Sequence, residues 1–124
     1  MSRTVLDVGQ CVPDHAAIRR ILEKNFQVAV EQTDALGDTL KRLREKPVDL
    51  VLINRKLDVD YSDGIEILKA IKADPELSAL PVMLVTNYPE HQETAIAAGA
   101  EPGFGKDTLH SPRTVELLRK YLGS

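Results

Sequence analysis

The stretch Val48 to Gly64, VDLVLINRKLDVDYSDG, decides the fold. Its opening, Asp49 to Ile53, is a short and nearly unbroken apolar run after Pro47, the pattern of a strand buried on both faces inside a parallel sheet. The run ends on a polar residue, Asn54, where a charged loop begins. In open α/β sheets ligands and chemistry sit beyond the carboxyl ends of such strands, so Asn54 stands where a reacting group is expected.

Outward from this strand the chain alternates. Thr4–Val8 is a strand candidate closed by Gly9, and Asp7 within it needs a basic or backbone donor near the strand's margin. Pro13-Asp14 introduces a helix to about Lys24, with Ala17, Ile18, Ile21 and Leu22 on one face. Phe26–Val30 reads as a second strand. Thr33 or Asp34 can cap a helix whose Leu36, Leu40 and Leu43 fall on one face. After Asn54, Asp63-Gly64 opens a helix with Ile65, Leu68 and Ile71 inward, and Val82–Thr86 is a second fully apolar strand. Pro89-Glu90 starts a helix that Gly99 terminates. Pro102–Gly105 holds a brief fifth strand, and Ser111-Pro112 starts the last helix, with Val115, Leu118 and Leu122 buried. Five strand–helix repeats with short connections predict an α/β, three-layer doubly wound, flavodoxin-like fold. Its five-stranded parallel sheet should run in the order 2-1-3-4-5 with five helices.

Bulk properties bound the function. At 124 residues the chain suits one domain, spanning 1–124. A net charge of −3 offers no basic footprint for nucleic acid or an anionic membrane, and no apolar run reaches the ~18 residues of a membrane span. With one cysteine, Cys11, and no secretory pattern, the expected location is cytoplasmic.

The run "PVDLVLIN…DG", the "PVMLVT" strand with Thr86 at its end, the "AAGA" helix end and Lys106 together resemble the receiver domain of bacterial two-component response regulators. The resemblance covers nearly the whole chain. It implies a phosphoacceptor aspartate at the position of Asn54, an acidic pair at Gly9 and Gln10 holding a divalent cation, and retained pocket residues Thr86 and Lys106. The first three are replaced here by residues without a carboxylate. An amide cannot form an acyl phosphate, and the cation loses its usual carboxylates. The family's switch aromatic, expected three residues before the lysine, is Gly103; Phe104 alternates to the opposite side and reads as core. Asp107 stands where a cis proline is usual, so a trans bond is expected, and Asn87 replaces a small residue.

The expected function is therefore a phosphorylation-independent pseudo-receiver: a signal-transduction module without enzymatic activity, metal or cofactor, that binds a protein partner. By resemblance the docking face is the fourth helix, fifth strand and fifth helix, which would also serve a homodimer. Alternatives are an anion or ligand sensor in the vacated pocket, or a regulator phosphorylated at Asp58 or Asp60. Those two aspartates lie in a loop two residues longer than usual, whose spacing does not fit a calcium loop. Lys106 is expected to hold an anion or an acidic side chain, with Asp58 or Asp60 the foremost candidates. Cys11 reads as an ordinary loop cysteine, and His15, His91 and His110 as surface residues.

Overall fold

The computed structural model describes residues 3–123, leaving Met1, Ser2 and Ser124 of the expected 1–124 domain outside the described residues. The strands are β1 (Arg3–Val8), β2 (Val28–Thr33), β3 (Leu50–Asn54), β4 (Val82–Val85) and β5 (Glu101–Phe104). Between and after them run α1 (Val12–Asn25), α2 (Leu36–Glu45), α3 (Ile65–Ala73), α4 (Pro89–Ala97) and α5 (Pro112–Leu122), with a short 3₁₀ turn at Lys106–Thr108. All pairings are parallel and the order is β2-β1-β3-β4-β5, the flavodoxin-like arrangement expected.

Period-two alternation along the strands splits the interior into two cores. Leu6, Val8, Val51, Ile53 and Leu84 face α2, α3 and α4, meeting Leu43, Leu68, Ile71 and Ala95. Val5, Leu50, Leu52, Met83 and Phe104 face α1 and α5, meeting Ile18, Leu22, Leu118 and Leu122. Leu50 to Ile53 of β3 are all fully buried, which is why that strand carries no polar alternation. Each such side chain contributes roughly 1.5–3 kcal/mol of burial.

Two local readings differ from the structure. β2 begins at Val28 rather than Phe26, because Phe26 ends α1, donating its N–H to Leu22 O, and turns its ring into the α1–α5 core. The α2 start is not capped by Thr33 or Asp34. Asp38 reaches back from the first turn to accept the Asp34 and Ala35 N–H groups, while Thr33 pairs with Thr39 in the interior at 2.8 Å. Leu36 is 42% exposed although it shares a face with Leu40, since helical period fixes an angle around the axis and not a depth.

Candidate functional site

The carboxyl ends of β1, β3, β4 and β5 bring Gly9, Gln10, Asn54, Thr86 and Lys106 to one edge of the sheet. What each side chain does there follows from its neighbours. Asn54 donates its amide to Lys56 O at 2.7 Å and to Gly9 O at 3.3 Å. Both partners are carbonyl oxygens, so the position is served by a donor, which an ionised carboxylate cannot be.

Gly9 adopts φ +78° and lies directly beneath Leu57; a Cβ there would fall closer than 3.0 Å to Leu57 Cδ2. Leu57 is buried, and its loop is tied down on both sides: Leu57 N–H donates to Ser62 O, and Asp58 N–H to Gly9 O, each at 2.9 Å. The loop therefore folds an apolar side chain onto Gly9, one of the two positions where the family resemblance implies an acidic pair. Tyr61, the one non-glycine residue with positive φ among those described, allows the turn, its N–H donating to Leu57 O. Gly64 completes the lap, since a Cβ there would collide with Asn54 O.

Gln10 turns inward rather than toward an anion. It is 2% exposed, and neither of its amide atoms has a hydrogen-bond partner. It lies beside Asp7, which alternation directs to the α1 side of β1. Asp7 is fully buried and its Oδ2 meets His15 Nδ1 at 2.7 Å, while its Oδ1 is unpartnered. Burial pushes the Asp7 carboxyl up to about 6, against the opposing pull of His15 foremost. His15 is thus a partner of a buried acid and not a surface residue, because a carboxylate in a central strand requires a donor.

Lys106 does hold an acidic side chain, but not one from the long loop. Its Nζ donates to Asp14 Oδ2 at 2.7 Å, and Cys11 Sγ donates to the same oxygen at 3.1 Å. Lys106 holds the Asp14 carboxyl below its ordinary value. Asp58 and Asp60 are exposed: burying Leu57 sends its charged neighbours outward, and Asp60 is occupied by Ser62, whose N–H and hydroxyl it accepts at 3.0 and 2.6 Å.

Thr86 points toward α4. Its hydroxyl lies 3.2 Å from His91 Nδ1, so His91, like His15, is half-buried and bonded; His110 is exposed. Phe104 sits in the α1–α5 core, and no cis peptide bond occurs among the described residues. Asn87 Oδ1 accepts the Asp107 N–H at 3.0 Å and so shapes the turn after β5.

These residues do not fit a hard divalent cation. Gly9 has no side chain and is covered by Leu57, Asn54 presents donors to backbone oxygens, and Gln10 is buried. Among the described residues no cluster of three or more His, Cys, Asp or Glu side chains could hold a metal ion. Nor is any helix long and apolar enough to cross a membrane. Sequence reasoning missed Leu57, Asp14 and His15. The signal for His15 was present, since Asp7 demanded a donor; nothing local marked Leu57 as a cover for Gly9.

Comparison with known proteins agrees with the topology. The chain is 26% identical over 124 residues to the polar-differentiation response regulator DivK of Brucella ovis, covering 99% of this chain and 98% of that protein. It superposes on a response regulator from Thermotoga maritima with a TM-score of 0.78 at 20% identity, covering 100% of both chains. With the chemotaxis response regulator CheY4 of Vibrio cholerae the TM-score is 0.77 at 18% identity, covering 98% of this chain and 100% of that one. The family model of the response regulator receiver domain matches residues 11–117, and the chain belongs to that family.

Proposed function

We propose that residues 1–124 form a single pseudo-receiver that serves signal transduction without being phosphorylated, as a cytoplasmic protein-interaction module with no enzymatic activity and no metal. The observation that carries this reading is the pairing of Leu57 with Gly9, which fills the position of the acidic pair with hydrocarbon, next to an Asn54 already committed as a donor. Fold and docking survive such a loss because chemistry resides in the site and not in the scaffold.

The docking face suggested by family resemblance, α4–β5–α5, supports the reading. It carries an open groove of about 1010 Å³ lined by Pro89, Gln92, Gly103, Leu117 and Lys120. A signalling protein partner is the proposed occupant, and the same face is the one through which two copies would meet. The vacated pocket is the weaker place for an anion, because Lys106 is already paired with Asp14. Incubation with acetyl phosphate and magnesium tests the proposal. Unchanged intact mass is expected, and a magnesium-dependent, base-labile phosphoryl adduct on Asn54, Asp58, Asp60 or any neighbour would overturn it.

A further inference from the structure

β4 and β5 lose their direct pairing at one point. Met83 faces Glu101 and Val85 faces Phe104, so two steps along β4 oppose three along β5. The amide of Gln92, projecting from α4, occupies this irregularity. Its Nε2 donates to Leu84 O at 2.8 Å, and its Oε1 accepts the Gly103 N–H at 2.9 Å. One side-chain amide thus stands in the ladder as a peptide group of an adjoining strand would, satisfying a carbonyl of β4 and an N–H of β5 together. The planar amide offers its donor and its acceptor side by side, as the bridge requires, and Asn is one methylene shorter.

Gly103 makes the arrangement possible. A Cβ at that position would fall closer than 3.0 Å to Leu84 O and within 3.2 Å of both polar atoms of the Gln92 amide. The helix also needs the tie, because Ala95 is the one buried residue of α4. A helix with so little buried surface is poorly held by packing, and its polar anchors to the sheet edge are Gln92 and the contact of His91 with Thr86.

We propose that Gln92 is a positioning residue that splices α4 into the β4–β5 ladder and holds the α4–β5–α5 face in one arrangement, whatever stands at the Asn54 end. The inference rests on reading that face as the phosphorylation-independent docking surface. It assigns to Gln92 and Gly103, as a matched pair, the job of fixing a face that would otherwise be free to move.

Amide hydrogen exchange followed by NMR on the full chain tests it, with Gln92→Ala and Gln92→Met. The methionine variant keeps the chain length and removes the amide, and it carries the test should the alanine variant fold poorly. At least tenfold faster exchange is expected at Gly103 and along α4, with β1 and β3 amides unchanged. Wild-type protection in Gln92→Met would show that Gln92 acts by packing and would overturn the proposal, as would acceleration spread evenly over all elements. Phosphoryl uptake at the Asn54 end would defeat the pseudo-receiver reading and leave the exchange result standing, so the two failures are distinguishable.

Discussion

Leu57 lies over the α-carbon of Gly9 so closely that a side chain at position 9 and the leucine cannot occupy their present places together. Asp58 N–H and the Asn54 amide both donate to Gly9 O, so the turn after β1 and the loop after β3 form one hydrogen-bonded unit. Gly9 and the loop that carries Leu57 are therefore fitted to each other.

Rebuilding the receiver site should for that reason need four substitutions rather than three. Asn54→Asp alone is expected to bind no beryllofluoride–magnesium. It should cost about 1–3 kcal/mol in urea unfolding, because the carboxylate would face two carbonyl oxygens, Lys56 O left without a donor and Gly9 O kept only by the Asp58 N–H. Adding Gly9→Asp and Gln10→Asp supplies carboxylates but drives a side chain into Leu57 at positive φ, a further loss of roughly 1–3 kcal/mol. Binding is expected only once Leu57→Ala is included. Tight binding by the single variant, measured by calorimetry, would reveal a metal ligand outside this set.

The Asp7 carboxyl should give the protein a distinctive response to pH. Folded, it keeps its proton up to about 6; in the unfolded chain it gives it up near the ordinary 3.8. The folded state then binds more protons across that window, so stability should fall as pH rises through it, by up to about 3 kcal/mol, and level off above it. Asp14 and Glu31, held low by Lys106 and Arg42, act oppositely and lose their contribution as pH falls below their ordinary values. Subtracting an Asp7→Asn variant from the wild type, by urea midpoints between pH 4 and 7, isolates Asp7. A flat difference would show that His15 fully offsets its burial.

The pair between Lys106 and Asp14 should matter little for stability. Its side chains are 33% and 36% exposed, and such partly solvated pairs contribute about 0.2–1 kcal/mol. A double-mutant cycle with Lys106→Ala and Asp14→Ala should return a coupling in that range that shrinks with added salt. A coupling several times larger would mean that the lysine anchors the whole turn after β5.

Several features could be read from the sequence because they depend on local chemistry. Unbroken apolar runs in Leu50–Ile53 and Val82–Val85 require burial on both faces, which with short connections implies the parallel sheet and its order. Ser111 caps α5, its Oγ accepting the Arg113 N–H, and Gly99 takes a positive φ after α4, as their residue types demand. The absence of carboxylates at Gly9, Gln10 and Asn54 was equally visible, being a matter of residue type at the positions the family resemblance marks.

Tertiary structure alone decided which groups meet. Nothing in the local sequence of Lys106 marks its acidic partner, and it takes Asp14, 92 residues away. The long loop could have swung Asp58 or Asp60 inward. It buries Leu57 instead, since covering a leucine removes hydrocarbon from water while burying a carboxylate costs its hydration. Gln92 carries no local signal of its place between Leu84 and Gly103, because that place exists only after β4, β5 and α4 have packed and one backbone carbonyl and one N–H remain to be satisfied.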